Sequence, residues 1–292
     1  MDREAESVRV DIGRGREVSV GFARYGANDG PVVLYFHGWP GSRLQARLGH
    51  SAALSLGLQL IALDRPGYGL TGNDAGGNFA DWAHLVERFC ERFRLRDIRV
   101  LGISGGGPYA LACGAMLPHR VSKISIGCGA PPGHILTSNP ALPLGFRALL
   151  ATHRRFPGAV RPLLGITGSA LRTIPPEWLI RLWSQQLPKP DRATLAEREF
   201  RDIIAASSRE AFRRGPHGAY QDAANLIADW PFDLSDIDAP VTFWYGERDS
   251  ITPPALAHRA FGRLNAPFYV LPNEGHYSLA CKYPASFLES LR

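Results

Sequence analysis

The sequence predicts an α/β fold: a mostly parallel eight-stranded sheet with flanking helices, interrupted by one long helical insertion. Two observations carry this. Strand-like apolar runs alternate with helical patterns along most of the 292 residues, as a parallel sheet with crossover helices requires. One interval, 131–236, breaks the alternation with amphipathic helical text punctuated by Pro and Gly. It is too long for a loop in a compact domain. The expectation is a helical cap at 131–236 inserted into a core made of 1–130 and 237–292.

Each element has its own signal. Val8–Val10 and Val18–Arg24 read as two opening strands that pair as a hairpin. Pro31–Phe36 is a near-continuous apolar run, the pattern of a strand buried on both faces. Leu58–Leu63, Ile98–Ile103, Val121–Ile126, Val241–Tyr245 and Phe268–Leu271 are further runs of that kind. Helical patterns lie between them at Ser42–Leu56, Phe79–Phe93, Gly106–Met116, Pro254–Leu264 and Ser286–Leu291. Within the insertion, Arg147–Arg155, Glu177–Gln186, Asp191–Arg213 and Ala219–Trp230 suit helices.

Composition narrows the function classes. Hydrophobic residues make up 45% and charged residues 21%, ordinary values for a globular chain. The amino terminus opens with charges and lacks the apolar core of a secretory signal, and no run is long enough to span a membrane. Cys90, Cys113, Cys128 and Cys281 are widely spaced, so buried free thiols are expected rather than a disulfide framework. These features predict a cytoplasmic protein with no membrane partner. The formal charge is +6, and residues 131–230 hold 13 Lys plus Arg against 8 Asp plus Glu. The basic residues are scattered, without the dense runs or aromatic interleaving of a nucleic-acid surface. A solvated helical face accounts for them, or a mildly positive entrance for an anionic substrate.

The chemistry gathers in three places. Gly102-Ile-Ser-Gly-Gly106 sits where an apolar run ends and a helical pattern begins. A Ser at a tight strand-to-helix turn projects its hydroxyl above the sheet, and small neighbours relieve the crowded backbone. Ser104 is therefore the expected nucleophile. A hydroxyl needs a base, and the base needs a group to orient it. Of nine histidines, only His276 follows Ser104, lies in a Gly-bearing loop and stands at the carboxyl end of a strand. For the acid, Asp249 follows the strand Val241–Tyr245, with Glu247 as a local rival that could instead pair with Arg248 or Arg259. The other site for an acid, after Val121–Ile126, reads Gly-Cys-Gly-Ala-Pro and holds no carboxylate. The backbone N–H groups of Trp39 and Gly105 are the expected oxyanion donors, each worth ~3 kcal/mol to a transition state. His37 is expected to tie its loop by a hydrogen bond, and Asp64–Gly69 to be an architectural turn.

With these residues placed, the chain resembles the α/β-hydrolase superfamily. The similarity is to the branch with an H-G-x-P-G-S-R oxyanion loop, a D-R-P-G-x-G turn, a G-x-S-G-G-G-P-Y elbow and G-x-G-H-x-S-L-like text around the histidine. Here these are His37–Arg43, Asp64–Gly69, Gly102–Tyr109 and Glu274–Leu279, the last departing in that Asn273-Glu274 precedes Gly275. The resemblance covers roughly 15–130 and 237–292. It implies a serine hydrolase acting through a Ser-His-Asp triad and an acyl-enzyme. Haloalkane dehalogenases and epoxide hydrolases of this superfamily carry aspartate at the elbow, and proline iminopeptidase-like members usually carry G-G-S-W-G, neither of which matches.

The expected reaction is hydrolysis of a small-molecule carboxylic ester or lactone by a monomer or homodimer, with neither cofactor nor metal. Peptide or amide hydrolysis, acyl transfer, and a ligand-binding receptor or lyase on the same scaffold remain alternatives. Trp39, Tyr109, Phe146, Trp183 and Tyr277 are the expected pocket residues. Phe146, Leu149, Trp178, Leu182 and Trp183 could equally pack the insertion onto the core.

Overall fold

In the computed structural model, which describes residues 3–13 and 15–292, eight strands pair into one sheet. They are β1 (Glu6–Asp11), β2 (Glu17–Gly26), β3 (Val32–Phe36), β4 (Gln59–Leu63), β5 (Ile98–Ile103), β6 (Val121–Gly127), β7 (Val241–Gly246) and β8 (Phe268–Leu271). Their spatial order is β1-β2-β4-β3-β5-β6-β7-β8. β1 and β2 form the antiparallel opening pair, with Val8 opposite Val20, and β2 is also antiparallel to β4. All later pairings are parallel. The helix Phe79–Phe93 packs Trp82, Val86 and Phe89 into one apolar core with Leu34, Phe36 and Val100, and a second core lies under Tyr35, Leu101 and Leu288. Strands covered on both faces explain the near-continuous apolar runs at β3 and β5. β8 is different: it pairs with β7 alone and exposes Tyr269 and Val270. An apolar run does not reveal whether its strand is central or at an edge.

The helices differ from their sequence patterns at the ends. Ser42–Leu56 divides into a 3-10 helix, Arg43–Gly49, and an α-helix, His50–Ser55. Arg43, Ala46 and Gly49 are its buried residues, a spacing of three that suits three residues per turn. The start of this segment is pinned by the turn after β4. Buried Asp64 accepts the Arg43 N–H and one Arg43 guanidinium hydrogen, both at 2.7 Å, and the Leu70 N–H at 2.9 Å. Asp64–Gly69 is thus architecture for the 37–43 loop.

Between β6 and β7 no strand occurs among the described residues. The α-helices there are Gly133–Leu136, Leu144–Arg155, Pro157–Thr173, Pro176–Ser184, Lys189–Ala196, Arg198–Ala211 and His217–Ile227, followed by a short 3-10 helix, Leu234–Asp236. The single pattern Asp191–Arg213 is two helices, because Glu197 turns out of helical geometry to ψ 129°. Pro157–Thr173 was illegible, since Pro162 and three glycines interrupt its periodicity. The segment joins the sheet domain through apolar clusters that include Leu136, Leu195 and Leu226 with Ile251 and Cys281, and Phe212 with Tyr68. All four cysteines are buried and free. No described helix is long and apolar enough to cross a membrane.

Candidate active site

β5 ends at Ile103, and a 3-10 turn, Ser104–Gly106, leads directly into the helix Gly107–Met116. Ser104 stands at the apex with φ 53°, a left-handed conformation that costs a non-glycine residue energy. The turn passes hard against the end of β3. A Cβ on Gly106 would overlap the Phe36 carbonyl oxygen, so the G-x-S-x-G spacing is a packing requirement as much as a chemical one.

His276 follows the loop after β8 but is the first residue of a helix, His276–Lys282, rather than a loop residue. Seven residues are too few for helical periodicity to show. Its Nε2 lies 2.8 Å from Ser104 Oγ, and its Nδ1 lies 2.8 Å from Asp249 Oδ2. A neutral ring protonated at Nδ1 therefore donates to Asp249 and accepts from the serine hydroxyl. Asp249 sits in the turn after β7, where its Oδ1 accepts the N–H groups of Ile251 and Thr252, each at 2.8 Å. Thr252 Oγ1 is 2.9 Å from Asp249 Oδ2. The rival Glu247 is exposed and accepts the Asn273 N–H at 3.0 Å. Neither Arg248 nor Arg259 pairs with it among the described residues. Arg248 bonds the Asn273 side chain instead.

The electrostatics distinguish the two buried histidines of the site. Burial is the largest single influence and pushes the His276 imidazolium down, but the Asp249 carboxylate and the neighbouring Cys128 sulfur together outweigh it and hold the ring well above its usual 6.5. His37 lies well below that value, through burial first and the Arg65 guanidinium second. It is a neutral tie: Nδ1 donates to the Gly38 carbonyl at 2.8 Å and Nε2 accepts the Arg65 N–H at 3.3 Å.

The 37–43 loop closes the other side of Ser104. A Cβ on Gly38 would stand 3.4 Å from Ser104 Cβ, and one on Gly105 would stand 3.3 Å from the Trp39 nitrogen. The Trp39 N–H donates to no group among the described residues, and Gly105 precedes the first bonded N–H of its helical turn. Both expected oxyanion donors thus lie beside Ser104 without a partner among the described residues. Fully buried Arg65 supports this loop by donating to the His37 and Gly38 carbonyls, and pairs with Asp222 at 2.6 Å. Asp222 also accepts the hydroxyls of Tyr68 at 2.8 Å and Tyr109 at 2.6 Å.

A cavity of about 620 Å³ rises from Ser104 and His276 between the sheet and the inserted helices. Trp39, Phe146, Trp183 and Tyr277 line it as expected, and Trp183 Nε1 donates to the Tyr277 hydroxyl at 3.2 Å. Tyr109 is the exception. It is buried in the sheet core against Phe79 and spends its hydroxyl on Asp222, so it does not reach the cavity. Among the described residues no Lys, Arg, Asp or Glu lines the wall. The positive charge of the insertion lies outside it: Arg213 is exposed and meets Glu210 at 3.5 Å. Ligand atoms of Cys128, Asp249 and His276 lie within 4.8 Å of one another. However, the carboxylate and imidazole are already bonded to each other, and burial pushes the Cys128 thiol up. Two of the three groups thus already have their facing atoms engaged with each other.

The sequence profile of the alpha/beta hydrolase fold matches residues 31–280. The chain belongs to the α/β-hydrolase fold family. The uncharacterized hydrolase YcgS of Bacillus subtilis is 24% identical over 283 residues, 94% of this chain and 93% of that protein. A non-heme chloroperoxidase of Streptomyces lividans is 35% identical over 138 residues, which is 44% of this chain and half of that one. Among solved structures, a thermophilic esterase from Thermogutta terrifontis superposes with a TM-score of 0.69 at 20% identity, covering 99% of this chain and 98% of that one.

Three residues that shape the site of this α/β hydrolase were not singled out from the sequence. Thr252 had a faint signal, three residues after Asp249 and just before Pro253. Asp222 and Asp191 had none, because each meets the site only across a long sequence separation.

Proposed function

We propose that this chain is a serine hydrolase that cleaves carboxylic esters or lactones through an acyl-enzyme. One observation carries the proposal: an unbroken hydrogen-bonded line from Ser104 through His276 to Asp249 at the foot of a deep apolar cavity. In this reading His276 takes the Ser104 proton at Nε2 as Oγ attacks the carbonyl carbon, and Asp249 steadies the imidazolium. The N–H groups of Trp39 and Gly105 receive the charge that develops on the carbonyl oxygen. His276 returns the proton to the leaving alkoxide, and the same base then activates water to release the acid.

The wall favours an uncharged, apolar acyl or alcohol group. The volume falls in the range that holds drug-sized ligands, and among the described residues His276 is the wall's only side chain that carries a positive charge when protonated. The peptidase reading lacks what it needs, a wall carboxylate for an amine terminus. Residues 131–236 act in this reading as the cap that sets specificity, since Phe146, Leu163, Leu179 and Trp183 supply much of the wall. The test is a fluorophosphonate probe and a panel of neutral esters and lactones of increasing chain length. Wild type should be labelled and turn over medium-chain neutral substrates faster than charged ones. Ser104→Ala should fold, resist labelling and lose hydrolysis by many orders of magnitude. Equal labelling of both proteins would remove Ser104 from the reaction.

A further inference from the structure

Asp191 is a fully buried carboxylate that the proposed reaction leaves without a task. It lies in the helix Lys189–Ala196 of the inserted segment, yet both its oxygens reach the sheet domain. Oδ2 accepts the His276 N–H at 3.0 Å and Oδ1 accepts the Ser278 N–H at 2.9 Å. These are first-turn donors of the histidine's own helix, which have no partner within that helix. The Ser278 side chain is occupied elsewhere, since its Oγ accepts the Gly275 N–H at 2.7 Å. The fit leaves no slack: a Cβ on Gly275 would stand 2.5 Å from either Asp191 oxygen.

Burying a carboxylate is costly, and burial does raise its pKa. For stability alone, a neutral Asn or Ser could cap two N–H groups more cheaply. What a carboxylate adds is a negative charge that stays put beside the imidazole. We propose that Asp191 is a positioning residue through which the inserted helices hold His276 in its working orientation and favour its protonated form during the reaction. This deepens the reading of His276 as the base and rests on it.

The idea also ties the cavity wall to the chemistry. Leu195 lines the cavity one turn after Asp191 on the same helix, so an acyl chain pressed against Leu195 bears on the element that grips the histidine. Four titratable groups face His276: Asp249 from the turn after β7, Cys128 from the end of β6, Tyr277 beside it, and Asp191. Burial raises the Cys128 thiol and the Tyr277 hydroxyl. Asp249 and Asp191 are therefore the two that supply negative charge.

The experiment compares wild type with Asp191→Asn and Gly275→Ala in the full chain. The first removes the charge and turns an amide NH2 toward one of the two N–H groups. The second keeps the charge and displaces the carboxylate, at a position whose backbone (φ −105°) accepts alanine. The primary readout is the rate of Ser104 labelling by a fluorophosphonate against pH, which needs no natural substrate. An ester panel supplies kcat and KM. Asp191→Asn should label 10- to 100-fold more slowly at its plateau, with its acid limb moved to lower pH, and kcat should fall more than KM changes. Gly275→Ala should slow labelling similarly. Wild-type labelling and an unmoved acid limb in a folded Asp191→Asn would reduce Asp191 to a helix cap and overturn the proposal. If Asp191→Asn does not fold, Gly275→Ala decides it alone, and an unchanged labelling rate there overturns it. Wild type that labels but cleaves no ester would refute the proposed substrate class and leave this test standing.

Discussion

Asp249 and His276 meet at 2.8 Å with both side chains buried, and the sign of that contact sets the pH behaviour. Against burial, Asp249 and the nearby Cys128 sulfur hold the ring well above 6.5, so the ring keeps its proton as pH rises through the ordinary histidine range. A base must be neutral to work, so kcat/KM should rise along an acid limb whose apparent pKa lies above 6.5. A limb centred clearly below 6.5 would show that burial, not Asp249, dominates. Asp249→Asn should cost roughly 10⁴ in kcat, the scale of lost tautomer control. The same coupling acts on stability. The native state binds this proton more tightly than the unfolded chain does, so the contribution is complete below about pH 6.5 and fades as pH rises through the native value. Urea midpoints of wild type and Asp249→Asn should therefore converge as pH is raised. Among the histidines, chain order and position already singled out His276. The neutrality of His37 depends on its burial first and then on Arg65, which is 28 residues away in sequence.

At the scale of elements, the serine turn is the most demanding. β3 and β5 lie side by side with Phe36 opposite Gly102, which brings the turn after β5 against the Phe36 carbonyl. Gly106→Ala should therefore destabilise the protein by about 1–3 kcal/mol, the scale of overpacking, and slow Ser104 labelling as the turn shifts. Urea unfolding and probe kinetics on the same preparation check both effects. An alanine variant with unchanged midpoint and labelling would mean the turn has room to relax. Element types were legible where a period ran long enough, as in Phe79–Phe93, whose Asn78 and Asp81 also form a capping box. They were not where a helix was brief, as at His276–Lys282, or broken by Pro and Gly, as at Pro157–Thr173.

Over the whole molecule, the inserted helices are locked to the sheet domain by buried charge as well as by apolar packing. Arg65 pairs with Asp222, and Arg43 bridges Asp64 and Glu210, each contact at 2.6–2.7 Å. Removing one partner strands the other in a dry interior, a loss of about 3–5 kcal/mol. Asp222→Ala should cost that much in urea unfolding. It should also weaken labelling of Ser104, since Arg65 holds the carbonyls of His37 and Gly38 beside the proposed oxyanion donors. A loss below about 1 kcal/mol would show that apolar contacts alone seat the insertion.

The sequence by itself determined the alternation of strands and helices, the helical interruption, and the three residues that line up at the site. Those depend on local period, turn chemistry and chain order, which text preserves. Tertiary structure alone decided that Tyr109 turns into the core, that the insertion's positive charge stays off the cavity wall, and that Asp191 and Asp222 reach across from the insertion. The physical reason is the same in each case. A side chain's partner is set by the packing of elements distant in sequence, and neither burial nor pairing of a single charge leaves a periodic mark on its own segment.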